Sequence, residues 1–297
     1  MGYVLACSST CDLDLDLLNS KDIKIAFFKY IIDDKEYNDN FFQSYDYTKF
    51  YSDIAAGMKP TTSQVGYGDY LNFFEPFLKE KKDVLYIDLS SGISGDFSTL
   101  QMVKEELDEK YPENKVYIVD SLCASSGQGM LAIYAWMNKE SGMSIEENYK
   151  WCQDNKLKIQ HWFISTDLSS FVRGGRISKT SGFFGTMLKI CPLMTVAKDG
   201  TLLPLEKIRT KSKAMSGMIN KMLELADNGR EYDGLCYISV SQCDADAEIL
   251  ACMIRENFPK LKDVKIFHIG TTIGSHTGPG TIALFFKGKE REYSQEK

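Results

Sequence analysis

The sequence predicts an α/β protein built from two domains. Three observations lead there. The chain has 297 residues, and at roughly 100–200 residues per domain two domains are expected. In the first half, short apolar runs alternate with amphipathic stretches of helical period, the pattern of a largely parallel sheet covered by helices. In the second half the pattern changes to a hairpin, long helices and widely separated strands, an α+β arrangement. The boundary is expected near residues 153–159, giving an N-terminal α/β domain at 1–155 and a C-terminal α+β domain at 156–297.

Residues 3–6 read as a short buried strand and residues 23–28 as a second. Residues 31–37 can pair locally, with Asp33-Asp34 supplying the turn. Helices are expected over 47–56, stopped by Gly57, and over 67–80, where Leu71, Phe74, Phe77 and Leu78 share a face. A strand at 84–89 ends in a Ser/Gly loop. Phe97, Leu100, Val103 and Leu107 give 96–110 a helical period. A strand at 116–119 ends at Asp120-Ser121. Helices at 127–138 and 145–155 follow, then an extended run at 159–164. Residues 183–196 and 201–208 flank Lys198-Asp199-Gly200, a hairpin turn with glycine in the left-handed position. Residues 210–227 form a helix with Met215, Met218, Met222 and Leu225 inward. Strands at 235–240, 264–269 and 282–286, with a helix at 245–256, complete the chain.

Acidic residues outnumber basic ones, 41 to 35. The charge of −6 and the dispersed lysines and arginines argue against a nucleic-acid binder. The eight cysteines contain no CxxC, and the three histidines are too dispersed for a zinc pattern. No metal and no cofactor are expected, and the cysteines read as reduced thiols. The N-terminus lacks the basic lead and apolar core of a signal peptide, and no stretch approaches the ~20 apolar residues of a membrane span. A cytoplasmic monomer is the expectation.

Four polar islands stand out. The last, Gly270-Thr271-Thr272-Ile273-Gly274-Ser275-His276-Thr277-Gly278-Pro279-Gly280, reads as tightly turned backbone with exposed N–H groups, either an anion or carboxylate site in which Gly278 and Gly280 let the chain come close to a ligand or a purely structural turn, which explains the glycines and proline equally well. Thr61-Thr62-Ser63-Gln64 reads as a donor cluster for an oxygen-rich head group, led by Ser63 with Thr62 in support; helix capping is the competing structural role. Ser90-Ser91-Gly92-Ile93-Ser94-Gly95 follows a strand, where open α/β sheets bind ligands. It lacks the spacing of a dinucleotide loop, a P-loop or a hydrolase elbow. Ser91 therefore reads as a ligand-binding hydroxyl, with Ser90, Gly92, Ser94 and Gly95 shaping the loop. Arg173-Gly174-Gly175-Arg176-Ile177-Ser178 offers guanidinium forks to a carboxylate or phosphate. Arg209 can add to the same field. His161 and His268 lie in apolar runs and read as structural. The aromatic pairs Phe27-Phe28, Phe41-Phe42, Phe73-Phe74 and Phe183-Phe184 belong to the core, with surface to spare for enclosing an elongated ligand.

These islands, in this order, together with Ser8-Ser9, Asp12-Leu13, Val119-Asp120-Ser121, Lys189-Ile190-Cys191-Pro192, Gly200, Lys207 and Arg209, resemble the DegV family of bacterial fatty-acid-binding proteins over nearly the whole chain. The resemblance implies a two-domain DegV-like fold, with Rossmann-like layering in the N-terminal domain and a C-terminal α/β domain of its own type. It implies that one long-chain fatty acid is bound, shielded and presented to a separate fatty acid kinase for phosphorylation of its carboxylate. It places carboxylate contacts on Thr62, Ser63 and Ser91, and phosphate or kinase-facing roles on Arg176, Arg209 and His276. A transient membrane contact follows from the need to exchange lipid. The sequence departs from the family at Cys7, where aspartate is usual, and at Val65, where proline is usual. The residues themselves leave two other readings open: a serine-dependent lipid hydrolase using Ser91 or Ser94, and a fatty-acid-responsive sensor acting through a protein partner. Residues 37–57 read either as a moving cover over the ligand or as a permanently packed segment.

Overall fold

The computed structural model describes residues 2–178 and 190–294. The start of the expected strand at 183, the Phe183-Phe184 pair and Lys189 lie outside the described residues. The first part of the chain runs β1 (Val4–Ser8), α1 (Leu15–Ser20), β2 (Ile23–Ala26), β3 (Lys29–Ile32), β4 (Lys35–Asn38), α2 (Tyr47–Ala55), β5 (Thr61–Ser63), α3 (Tyr67–Lys79), β6 (Val84–Asp88), α4 (Asp96–Lys110) and β7 (Val116–Asp120). Next come α5 (Ser126–Glu140), α6 (Ile145–Asn155), β8 (Ile159–Ser165), α7 (Ser169–Arg173), β9 (Leu193–Val196) and β10 (Leu202–Glu206). The last elements are α8 (Lys211–Leu225), β11 (Cys236–Val240), α9 (Asp244–Asn257), β12 (Lys265–His268), α10 (Thr271–Thr277) and β13 (Thr281–Lys287).

The first sheet is wholly parallel, in the order β2-β1-β6-β7. Its central strand β6 is buried along its whole length. A parallel strand covered on both faces has no solvent side to mark with polar residues, so its apolar run does not alternate. The second sheet has the order β10-β9-β8-β13-β11-β12, antiparallel except for the β11–β12 pair. A small antiparallel sheet, β4-β3-β5, stands apart from both. Its hairpin turns at Asp33 and Asp34, whose φ angles of 48° and 60° are those of a tight two-residue turn.

Helix α5 lies between the two large sheets. Every residue from Ser126 to Ile133 is buried, as expected of a helix with no solvent face. A side chain at Gly129 would strike Cys11 O and Leu13, and one at Gly127 would strike the His161 ring. These glycines are what let the segment after β1 and the strand β8 approach the helix. One apolar core therefore runs from Leu5 and Leu85 on the first sheet to Phe163 and Phe285 on the second.

The segment 270–280 departs from its expected form. Residues Thr271–Thr277 make α10. The glycines sit at its ends: Gly270 precedes it and Gly278, at φ +68°, ends it. The acceptors that hold its first turn come from far away in sequence, from Asp12 and Asp39. Local pattern could not show them.

Candidate functional site

A cavity of about 220 Å³ opens between the second sheet and the loops at the carboxyl ends of β6 and β7. The pairing of β8 with β13 sets its long axis. His161 faces Phe285, Phe163 faces Ala283, and Ser165 faces Thr281. Residues two apart share a face of a strand, so His161, Phe163, Phe285, Ala283 and Thr281 line one wall, about 13 Å from Thr281 to Phe285. Val196 and Leu202 extend that wall, and Leu89 and Ile93 cover it from the other side. The polar end holds Thr62, Gln64, Ser94, Arg176 and His276.

Thr62 is carried by β5 and His276 by α10. Thr62 Oγ1 and His276 Nε2 are 2.7 Å apart. His276 Nδ1 is buried without a partner and lies where a side chain at Gly174 would be, 2.2 Å from an added Cβ. Burial, and behind it the charges of Arg176 and Arg173, push the imidazole down to about 3, so it is neutral at ordinary pH. Buried N–H groups are rarely left orphaned, whereas a bare lone pair is tolerated. That assigns the proton to Nε2 and makes Thr62 Oγ1 its acceptor.

Arg176 is half-buried. Nε donates to Ile93 O at 3.0 Å and Nη1 donates to Gly174 O. No carboxylate among the described residues forms an ion pair with it. Ile93, Ser94, Gly95 and Arg176 line both the cavity and a groove on the outer surface, so these residues form the partition between the two. Ser94 Oγ accepts from Asp96 N at 3.2 Å.

Three buried acids hold the polar end in place. Asp12 Oδ1 accepts from Gly270 N at 2.9 Å, and Asp39 accepts from the N–H groups of Thr271 and Thr272. Both carboxyls are pushed up by burial. On the other side, Asp96 Oδ1 accepts from Val65 N at 3.1 Å and Oδ2 accepts from the Tyr70 hydroxyl. Asp12 and Asp39 fix the helix that bears His276, and Asp96 fixes Val65, next to Gln64 and just after the strand that bears Thr62.

Of the three residues expected at a carboxylate, Thr62 lines the cavity. Ser63 does not, and its hydroxyl donates to Gln64 O at 3.4 Å. Ser91 faces the outer groove, where Oγ donates to Asp120 Oδ2 at 2.6 Å and N donates to Asp120 Oδ1 at 3.1 Å. The expected supporting residue Ser94 is the loop hydroxyl that reaches the cavity. Ser90 Oγ donates to Gly200 O at 2.9 Å, and a side chain at Gly92 would strike the backbone of Asp199 and Gly200. Both residues thus lock the loop onto the β9–β10 hairpin. Gly95 precedes α4 and lines the cavity. Arg176 and His276 meet at the polar end, while Arg209 is exposed just before α8 and does not line the cavity. Gly278 and Gly280 both have positive φ; side chains there would strike Ser170 and Thr166.

Sequence reasoning passed over Gln64, Ser125 and His161 as wall residues. His161 Nδ1 donates to Ile159 O at 3.0 Å, which leaves Nε2 to accept from Ala124 N at 3.3 Å. An apolar run around a histidine marks a buried ring, and its cavity-facing side is set only by the sheet register. His268 is an exposed partner of Asp244 and stacks on Tyr47.

A family model described as "Uncharacterised protein, DegV family" matches residues 6–289. The chain belongs to the DegV family. A DegV domain-containing protein of Clostridium perfringens is 37% identical over 290 residues, covering 98% of this chain and 99% of its own. A DegV domain-containing protein of Lactococcus lactis is 30% identical over 293 residues, 98% of this chain and 100% of its own. Among solved structures, the fatty-acid-binding DegV family protein of Streptococcus agalactiae superposes with a TM-score of 0.85 at 26% identity, covering 98% of this chain and all of that one. A DegV lipid-binding protein of Thermotoga maritima gives 0.83 at 26% identity over 98% of this chain and all of its own. The α/β architecture, with an N-terminal and a C-terminal α/β unit, is that of these DegV structures. No helix among the described residues is long and apolar enough to cross a membrane.

Proposed function

We propose that this DegV-family chain binds one long-chain fatty acid, with its carboxylate at the Thr62–His276–Arg176 end and its acyl chain along Phe163, Phe285 and Leu202. The observation that carries the reading is an apolar cavity ending at a half-buried arginine whose acceptors among the described residues are backbone carbonyls. A bound carboxylate would supply the missing counter-charge. The Thr62 hydroxyl, accepting from His276 Nε2, keeps its own proton for a ligand oxygen, and so does Ser94. Burial of a methylene favours binding by about 0.8 kcal/mol before entropic losses, so a chain of roughly fourteen methylenes carries most of the affinity. The polar end fixes orientation.

The partition at Ile93 and Arg176 suits a carrier that presents the head group outward, here to a separate fatty acid kinase acting on the carboxylate. Ser91 and the exposed Arg209 would then serve the kinase-facing surface, and a transient membrane contact would load the chain. A serine hydrolase is disfavoured because the Ser91 hydroxyl donates to Asp120 and has no imidazole partner among the described residues. Solvent extraction of the purified protein is expected to yield a long-chain acid. Titration is expected to show R176Q losing affinity for dodecanoate while keeping affinity for dodecanol. Protein that is empty and binds no fatty acid would refute the reading.

A further inference from the structure

Directly behind the polar end lie two buried carboxyl groups with no cation. Asp88 ends β6 and Asp96 begins α4, and both have no solvent exposure. Neither forms an ion pair with a lysine or arginine among the described residues. Asp96 is adjacent in sequence to Gly95, which lines the cavity, and its own N–H donates to Ser94 Oγ. Through Oδ1 it also holds Val65, the neighbour of the cavity residue Gln64. The groups that face the pair are Tyr70 from α3, Tyr86 from β6, Cys7 from β1 and Asp120 from β7. All of them are neutral or acidic. Both oxygens of Asp88 are buried without a hydrogen-bond partner, and burial, reinforced by the nearby Asp96, pushes its carboxyl well above the usual range, so Asp88 keeps its proton and the pair carries at most one negative charge.

We propose that the Asp88–Asp96 pair is a proton-uptake site coupled to the head group. An acyl carboxylate arriving at the polar end draws a proton from solvent onto the pair, and affinity for the anion rises as the pair is protonated. The proposal rests on the fatty-acid reading. Its physical basis is like-charge repulsion between the head group and Asp96, whose N–H is bonded to the cavity residue Ser94, in surroundings of low dielectric where the field is poorly screened. Asp96 is the group poised to respond. Burial raises it to about 6, within reach of neutral pH once an anion raises it further. His276 lies nearer the ligand, but at about 3 an upward shift still leaves it unprotonated at neutral pH. Protonated Asp96 keeps a carbonyl oxygen for Val65 N, so uptake changes charge without releasing the turn.

Isothermal titration of the wild-type protein at pH 6.5–7, in two buffers of different ionisation enthalpy, reads the coupling directly. Dodecanoate is expected to bind with fractional proton uptake, and dodecanol with none. Dodecanoate affinity is expected to fall by about fivefold from pH 6 to pH 8, the larger part of the roughly tenfold change that one unit of pKa shift produces over the whole titration. The double variant D88N/D96N, neutral at every pH, is expected to lose both the uptake and the pH dependence. Wild-type protein that binds dodecanoate without uptake overturns the proposal, as does uptake that persists in D88N/D96N. Should the double variant not fold, the wild-type comparison of acid with alcohol decides alone. Failure of dodecanoate and of longer-chain acids to bind at any pH would instead refute the fatty-acid reading.

Discussion

Thr62 Oγ1 and His276 Nε2 lie 2.7 Å apart across 214 residues of sequence. One belongs to the short edge strand β5, the other to α10, and the contact closes the polar end of the cavity. T62V removes that hydroxyl at little change in volume. A hydrogen bond to a charged group contributes about 1.5–3 kcal/mol, so the variant is expected to lose roughly ten- to a hundredfold in affinity for dodecanoate. Dodecanol should be affected less. S63A provides the contrast: the Ser63 hydroxyl bonds to Gln64 O outside the cavity, and its loss should leave affinity unchanged. Calorimetric titration of the two variants separates these roles.

His276 is expected to resist protonation in the free protein. Its folded pKa, about 3, lies below the unfolded value near 6.5. The unfolded chain therefore binds the proton first. The stabilising contribution is complete above pH 6.5 and is lost as pH falls toward 3. H276Q should show a shallower loss of stability over that window in denaturant melts. The His276 ring signals should also show no titration between pH 5 and 8 by NMR.

Gly174 is expected to be intolerant of any side chain. A Cβ there would sit 2.2 Å from His276 Nδ1. The ring must move and break its bond to Thr62, or the α7 end must shift. Overpacking of this kind costs about 1–3 kcal/mol. G174A should lower both thermal stability and dodecanoate affinity, whereas G175A tests positive φ alone, since its Cβ meets nothing within 4 Å.

The inner end of the cavity is closed by a ring that cannot turn. His161 is held by Ile159 O, Ala124 N and the edge of Phe285, 5.2 Å between centroids. H161A should deepen the cavity and shift preference toward longer acids, measured by competition between chain lengths. A stability loss of about 2–4 kcal/mol, typical of a buried large-to-small change, should accompany it.

Helix α2 is expected to stay put on ligand binding. Phe50 and Tyr51 are fully buried, the Tyr51 hydroxyl donates to Ile269 O at 2.7 Å, and Gln242 N donates to the Tyr47 hydroxyl at 2.6 Å. These bonds tie the helix to the segments that follow β11 and β12. Amide exchange over residues 47–55 should therefore be the same with and without fatty acid. Increased protection there would restore the moving-cover reading.

The sequence by itself determined the long helices and strands, the parallel first sheet and the hairpin at Gly200, but not α1, β5, α7 or α10. These depend on period and turn chemistry, which act over a few residues. The ordered islands also led to the family. Tertiary structure decided which island residues face the ligand. In the 90–95 loop, Ser91 turns outward because Asp120 on the neighbouring strand accepts both its N–H and its hydroxyl, leaving Ser94 at the cavity. In the 270–280 segment, α10 forms where glycines suggested a turn, because Asp12 and Asp39 supply its first-turn acceptors from more than 230 residues away. The roles of Gly127 and Gly174 were equally hidden, since each is defined by the imidazole packed against it. Local pattern fixes backbone habit over one or two turns. The direction in which a side chain points is fixed by partners that only the folded chain brings near.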